Sequence, residues 1–161
     1  MSHRLDIAGR KDQDIYKGSD QTLSLRGDMS CQTLSEEKTI EAAQKFAQQL
    51  IPGDIVCLHG DLGAGKTVFA KGLIEALTKT VTRNEVTSPT FVTLNLYENV
   101  AHFDLYRLES IYAFKACGFE EYLEEPYIAI IEWPEIVTSL LPENAYHLTI
   151  EKLGETQRSI V

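Results

Sequence analysis

The sequence predicts a three-layer α/β domain in which helices flank a mixed, largely parallel central sheet. Apolar runs of strand length at residues 55–58 and 127–131 are typical of strands that are buried on both faces. Stretches whose apolar residues recur at helical spacing lie before and after the first run, so helices and strands alternate along this part of the chain. The length of 161 residues is that of one domain.

The first 30 residues are polar, with glycines scattered among charges and few large apolar side chains. Because no hydrophobic periodicity is visible, we predict a disordered N-terminal extension over residues 1–30, ahead of a single domain over residues 31–161. Met29 as the natural start of the protein is an alternative interpretation of the same stretch.

The first helix is predicted to begin at a cap formed by Thr33 or by its rival Ser35, and to end at the turn formed by residues 52–54. Thr33 and Glu36 have the spacing of a capping box, and Ser35 is a rival N-cap. The apolar residues that follow at helical spacing are Ile40, Ala43, Ala47 and Leu50. Pro, Gly and Asp at residues 52–54 then end the helix and turn the chain into the first apolar run.

The second helix is predicted directly after a glycine-rich loop, with Phe69, Leu73 and Leu77 on one face. Beyond a polar loop, residues 91–97 and 101–108 alternate on either side of a turn, which predicts two paired strands. The remaining predicted elements are a helix over residues 110–125 broken near Gly118, the buried strand at residues 127–131, a short helix before Pro142, and a closing hairpin of residues 146–153 and 156–161.

The composition argues against several classes of function. A net charge of −9 makes the surface as a whole repel phosphate backbones, so we expect no strong direct binding of nucleic acid. No stretch approaches the roughly 20 apolar residues that cross a bilayer, and the N-terminus has no apolar signal core. We therefore expect a soluble, cytoplasmic protein. The three cysteines show no CxxC spacing, and we interpret them as reduced thiols.

Residues 60–67 read Gly-Asp-Leu-Gly-Ala-Gly-Lys-Thr and fit the phosphate-loop motif G-x-x-x-x-G-K-S/T in full. The glycines let successive backbone N–H groups face one anion, and the helix that follows adds the positive end of its dipole. Lys66 is expected to reach the β- and γ-phosphates, and the Thr67 hydroxyl to bind Mg²⁺. The domain is therefore predicted to have a P-loop NTPase fold with ATP and Mg²⁺ as cofactors. The residues predicted to contact the nucleotide in this segment are Asp61, Leu62, Gly63, Ala64, Gly65, Lys66 and Thr67.

Turnover needs an acid that completes the metal site and a group that orients the attacking water. Glu132 closes the second apolar run, at the end of a strand where open α/β sheets place their ligands. The pattern leaves open whether Glu132 binds the metal directly, binds it through water, polarises the water or faces solvent. Asp104 shares one face of its strand with His102 and Tyr106, and that face lines the nucleotide cleft or is the wet face of an edge strand. Which acid, if either, activates the water also stays open.

Three other functions are compatible with a phosphate loop. A small kinase that phosphorylates a metabolite usually closes several arginines over the phosphates, whereas Arg83, Arg107 and Arg158 are not clustered in the sequence. A GTPase is disfavoured because the chain has no Asn-Lys-x-Asp segment and no Asp-x-x-Gly segment after the loop. A non-catalytic module whose nucleotide-bound state docks a partner stays open.

Four separated motifs together resemble the bacterial TsaE (YjeE) family, whose members are small ATPases of tRNA threonylcarbamoyladenosine biosynthesis. Besides residues 60–67, they are Ser-Pro-Thr-Phe at residues 88–91, His-Phe-Asp-Leu-Tyr-Arg-Leu at residues 102–108 and Ile-Glu-Trp-Pro-Glu at residues 131–135. The resemblance covers residues 33–161, and the last three motifs are far more specific to the family than the phosphate loop is.

The resemblance implies roles for single residues. Thr90 lies in a switch-like loop, and Trp133 lies beside the nucleotide in a second switch-like segment. Asp104 is implied to be required for ATP turnover, and Glu132 to complete the magnesium site with Thr67.

The resemblance also implies a protein partner, the TsaB–TsaD complex, which transfers a threonylcarbamoyl group to adenosine 37 of tRNAs that read ANN codons. Through that complex the protein would act on tRNA indirectly, with ATP hydrolysis resetting the complex between turnovers. Residues 114–118, Phe-Lys-Ala-Cys-Gly, depart from the more acidic, Leu-Gly pattern of the family. This departure affects the helix and any partner contact that it makes, and it leaves the nucleotide motifs unchanged. Because no arginine is an obvious finger, we expect slow hydrolysis by the isolated protein and acceleration by the partner.

Overall fold

A computed structural model of the chain describes residues 22–23, 29–89 and 92–161. Within these residues, helices cover both faces of one eight-stranded sheet, so the predicted three-layer α/β fold is confirmed. The strands in chain order are β1 (Thr22–Leu23), β2 (Met29–Thr33), β3 (Ile55–His59), β4 (Leu94–Tyr97), β5 (Val100–Asp104), β6 (Ile128–Glu132), β7 (Tyr146–Lys152) and β8 (Arg158–Ile160). The helices are α1 (Glu36–Ala47), α2 (Lys66–Leu77) and α3 (Ile111–Ala116), together with two 3₁₀ helices over Phe119–Leu123 and Pro134–Leu140. Of the helices in this described part, none has the length and apolar character to cross a membrane.

The sheet is parallel in its centre and antiparallel at its edges. Its strand order is β1-β2-β8-β7-β3-β6-β5-β4, and β7, β3, β6 and β5 are parallel neighbours. Both predicted hairpins are present, as the antiparallel pairs β4–β5 and β7–β8. The carboxyl ends of the parallel strands meet at one edge of the sheet, where Asp104 of β5 lies level with Glu132 of β6.

The sheet separates two apolar cores. On one face, Phe46 of α1 and Phe69 of α2 belong to the same buried cluster as Leu58 of β3. On the other face, Phe103 of β5 packs against Phe114 of α3, with ring centroids 5.5 Å apart. β6 is buried at every position and β3 at all but its last, as their apolar runs predict for strands covered on both faces.

The first helix uses Ser35, the rival N-cap. The Ser35 hydroxyl accepts a hydrogen bond from the Lys38 N–H at 3.2 Å. Thr33 is the last residue of β2 instead, and its buried hydroxyl lies 2.7 Å from that of Thr39. The capping-box interpretation of Thr33 is therefore wrong, because the sheet extends through that residue.

Two elements differ in length from their sequence patterns. β4 begins at Leu94, later than its sequence pattern predicts, because Thr93 has a φ of 67° and turns the chain just before it. The helix predicted over residues 110–125 is broken at Gly118, as expected, where φ is 72°. The part after this break is a 3₁₀ helix and not a continuation of α3.

The segment predicted as an N-terminal extension overlaps the sheet. Thr22–Leu23 pairs with Met29–Thr33, and the latter strand pairs with β8. The boundary predicted between residues 30 and 31 therefore falls inside β2. The rest of the predicted extension, residues 1–21 and 24–28, lies outside the described residues.

Gly72 sets how closely α1 and α2 approach each other, since a Cβ on it would lie 2.7 Å from the Ala43 Cβ and 2.8 Å from the Ile40 carbonyl oxygen. We expect Gly72→Ala to lower the free energy of unfolding by about 1–3 kcal/mol, because the helix backbones must move apart. Urea unfolding followed by circular dichroism measures this change. The matched control is Gly154→Ala, whose Cβ would have no contact closer than 3.4 Å. Equal losses in the two variants would contradict the prediction.

Candidate functional site

The phosphate loop joins β3 to α2 in a backbone conformation that favours glycine. Gly60 has a φ of 140°, and a Cβ there would collide with the carbonyl oxygen of Ile150 in β7. Gly65, with a φ of 112°, is the N-cap of α2, and it provides no side-chain hydrogen bond to the first N–H groups of the helix. Uncapped N–H groups at a helix start form a favourable site for an anion. The loop therefore has the backbone geometry that phosphate binding needs.

The Lys66 ammonium is held inside the loop. Its Nζ donates hydrogen bonds to the carbonyl oxygens of Gly60 at 2.6 Å and Asp61 at 2.9 Å. Burial lowers the pKa of Lys66, and the nearby carboxylates, Glu132 foremost, oppose that shift. The residue is 4% exposed, so its charge is fixed at the base of the loop and does not extend into solvent.

Glu132 connects the central strand β6 to the start of α2. The Thr67 hydroxyl lies 3.1 and 3.0 Å from the two carboxylate oxygens of Glu132 and donates to them. His102 of β5 reaches the same carboxylate, with its Nε2 2.8 Å from Oε1. Glu132 is only 2% exposed, so the alternative of a strand-end residue facing solvent is wrong.

Asp104 lies at the end of β5, beside Glu132 and nearer the solvent. One of its carboxylate oxygens accepts a hydrogen bond from the Tyr106 N–H at 3.0 Å, and the other from the Ser88 hydroxyl at 3.4 Å. The outermost strand next to it is β4, so β5 is not the edge strand that the sequence left open. His102, predicted on the same face as Asp104, is fully buried, whereas Tyr106 is 54% exposed.

Trp133 follows Glu132 in a left-handed backbone conformation, with φ and ψ both 58°. This conformation is costly for a large side chain and is typical of functional sites. The indole ring lies 3.8 Å from the Lys66 Nζ and 4.9 Å from the centroid of the Tyr106 ring. Trp133 thus contacts the lysine of the phosphate loop directly.

These side chains line one cleft of about 420 Å³. The predicted residues that line it are Leu62, Gly63, Gly65, Lys66, Thr67, Asp104, Glu132 and Trp133. Asp61 and Ala64 line a neighbouring cavity of about 490 Å³ between the loop and β7. Thr90 lies outside the described residues, although Ser88 of the same motif lines the cleft.

Two arginines that are far apart in the sequence, Arg107 and Arg158, line the same cleft. The Arg158 Nη1 donates to the Gln157 carbonyl oxygen at 2.9 Å, and its Nε lies 3.3 Å from the place of a Cβ on Gly65. Arg83 pairs with Glu37 and Glu75 and does not line the cleft. No local sequence signal indicates the contribution of Arg158, because the β7–β8 hairpin brings it back to the loop.

The donor set at Thr67 and Glu132 suits a magnesium ion. Both residues supply oxygen atoms, and Mg²⁺ is usually bound by one or two such groups while phosphate oxygens and waters complete an octahedron. Within the described ranges, no group of three or more His, Cys, Asp or Glu side chains could hold a metal on its own. Thr67 and Glu132 would hold such an ion together with phosphate oxygens and waters.

The chain is similar to known proteins over most of its length. A family model described as "Threonylcarbamoyl adenosine biosynthesis protein TsaE" matches residues 33–160. A protein named tRNA threonylcarbamoyladenosine biosynthesis protein TsaE from Rickettsia felis is 41% identical over 128 residues, which cover 77% of this chain and 73% of that protein. The protein of the same name from Bacillus subtilis is 35% identical over 132 residues, or 80% of each chain.

The fold is also that of a solved structure. The crystal structure of YdiB from Bacillus subtilis matches with a TM-score of 0.64 and 29% sequence identity, and the match covers 82% of each chain. Together with the loop between β3 and α2, this match identifies a P-loop NTPase-type α/β fold, as predicted.

We expect Thr67→Val to lower the free energy of unfolding by about 1–3 kcal/mol, because it keeps the shape of the side chain but removes a donor from the buried Glu132 carboxylate. Chemical unfolding without nucleotide or Mg²⁺ measures this effect. Thr67→Ser keeps the hydroxyl and is the control. Equal stability of the valine and serine variants would show that the hydrogen bond does not stabilise the fold.

Proposed function

Because the chain belongs to the TsaE family of threonylcarbamoyl adenosine biosynthesis proteins, we propose that it is a magnesium-dependent ATPase required for threonylcarbamoylation of adenosine 37 in tRNAs that read ANN codons. The observation that carries this proposal is the contact between a complete phosphate loop and a buried acid, through the hydrogen bonds from Thr67 to Glu132. A metal site beside bound phosphate needs an acid at such a position.

When ATP is bound, the backbone N–H groups of the phosphate loop and of the start of α2 would hold its phosphates. Lys66 has three N–H donors, and the carbonyl oxygens of Gly60 and Asp61 take two of them. The third would go to a phosphate oxygen in place of the contact with the Trp133 ring, whose centroid lies 3.8 Å from Nζ. Thr67 and Glu132 would hold Mg²⁺, which supplies positive charge where negative charge develops on the phosphates during hydrolysis.

Asp104 is the better candidate to orient the attacking water. Both oxygens of Glu132 already accept hydrogen bonds from Thr67, and one also accepts from His102. Asp104 is less buried and faces the cleft, and the Tyr106 N–H donates the shorter of the two hydrogen bonds described for it. We therefore assign Asp104 to the water and Glu132 to the metal side of the site.

We further propose that the protein acts on a TsaB–TsaD-type complex in the cytoplasm and reaches tRNA only through that complex. The net charge of −9 disfavours direct contact with tRNA. Two large apolar side chains, Leu62 at 77% and Tyr106 at 54% exposure, are uncovered beside the cleft and suit contact with a protein. A partner that covers this opening would exclude water from the site and strengthen the charges in it.

Hydrolysis by the isolated chain is expected to be slow, and the partner complex is expected to accelerate it by at least ~10-fold, because a partner that covers the cleft would exclude water and strengthen the charges that stabilise the phosphate during hydrolysis. Phosphate release from Mg-ATP, measured with and without the complex, tests this. Equal rates would contradict activation. Nucleotide binding without any hydrolysis would identify a nucleotide-gated binding module instead.

Lys66→Ala is expected to weaken Mg-ATP binding by at least ~10-fold, because it removes a charge-assisted hydrogen bond to phosphate. Trp133, the single tryptophan, provides the readout, since its ring contacts the Lys66 ammonium. Addition of Mg-ATP or Mg-ADP to the wild-type protein should change the intensity or wavelength of the Trp133 fluorescence. Lys71→Ala, on the same helix but outside the cleft, is the matched control and should bind like wild type. Weakening in both variants would contradict a specific role for Lys66.

A further inference from the structure

His102 is a polar side chain buried in the middle of β5. It is 0% exposed and pairs in register with Ile130 of β6, so Glu132 is its diagonal neighbour on the same face of the sheet. The His102 Nε2 lies 2.8 Å from Oε1 of Glu132. His102 therefore touches the proposed metal-binding acid from inside the protein, on the side away from the cleft.

The two nitrogens of the ring have different environments. A carboxylate only accepts hydrogen bonds, so the contact with Glu132 assigns the ring proton to Nε2. Nδ1 is buried and has no hydrogen-bond partner among the described residues. An apolar side chain of similar size would fill this space without burying an unpaired nitrogen. The polarity of His102 thus serves its contact with Glu132 and does not serve packing.

We propose that His102 is a positioning residue, which holds the Glu132 carboxylate where it accepts the proton of the Thr67 hydroxyl and leaves the Thr67 oxygen free for the magnesium of a bound nucleotide. This inference rests on the proposed function. His102 itself touches neither nucleotide nor metal, and acts only through Glu132.

The chemistry of the Thr67 hydroxyl explains why the position of Glu132 matters. The hydroxyl can give a lone pair to a cation only while its proton points elsewhere, and Glu132 is the acceptor within reach. His102 is a second hydrogen-bond donor to the Glu132 carboxylate, so it keeps the acceptor of the Thr67 proton in one place. Loss of a hydrogen bond that orients a metal-binding group typically costs about 10–100-fold in metal affinity.

Two substitutions separate this role from simple filling of the core. His102→Gln places an amide N–H near the position of Nε2 and can still donate to Glu132. His102→Asn is shorter by one methylene and carries its amide nearer the position of Nδ1, out of reach of Glu132. Both variants are buried neutral amides, so they differ mainly in the contact under test.

The experiment measures the affinity of each full-length variant for ADP by Trp133 fluorescence, with Mg²⁺ and with EDTA. The ratio of the two affinities gives the contribution of Mg²⁺, and binding in EDTA shows that the phosphate loop is folded. We expect His102→Gln to keep the wild-type ratio, and His102→Asn to lower it by about 10-fold or more while binding in EDTA stays unchanged. In a Glu132→Gln background, the same asparagine substitution should cause no further loss of the ratio.

Equal ratios for the asparagine, glutamine and wild-type proteins would overturn the role of His102 and leave the ATPase proposal intact. The role would also be overturned if the affinity ratio fell equally in the glutamine and asparagine variants, or if ADP affinity in EDTA fell as much as ADP affinity in Mg²⁺. In either case His102 would only support the core. If Mg²⁺ does not strengthen ADP binding by wild type, the magnesium site of the proposed function fails, and this inference fails with it.

Discussion

The hydrogen bonds from Thr67 to Glu132 connect the phosphate loop to the centre of the sheet, and the other parts of the site are arranged around them. They form because β3 and β6 are adjacent and parallel, so that the strand before the loop and the strand before Glu132 end at the same edge. Trp133 comes directly after that edge and reaches Lys66. A change in the pairing of these two strands would therefore separate all the groups of the site.

Most of the fold could be predicted from periodicity and from turn residues. The apolar runs of β3 and β6, the two hairpins and the break at Gly118 all follow from local patterns. Thr33 could not be assigned correctly, because its spacing to Glu36 suits a cap while its tertiary environment, against Thr39, suits a strand. Local spacing cannot show that a strand from the start of the chain pairs with the last strand, β8.

Within the site, a contiguous motif can be recognised in the sequence, whereas contacts between side chains of different strands cannot. The positions of the loop residues around Lys66 and of the strand-end Glu132 in the sequence predict that they lie near each other, and the structure brings them together. Alternation places His102 on the same face as Asp104 but shows neither its burial nor its contact with Glu132. The sequence does not place Arg158 in the site, because its approach to the loop depends on the fold of the closing hairpin.

That hairpin has a consequence for the order in which the protein is made. Gly60 lies against the backbone of Ile150, and Arg158 lies beside Gly65, so residues near the end of the chain support a loop near its middle. β3 also has β7 as one of its two neighbours. On the ribosome, the segment that contains the loop emerges long before these supports exist. A nascent chain therefore carries the whole phosphate-loop motif without its native scaffold until residues 146–160 have left the exit tunnel.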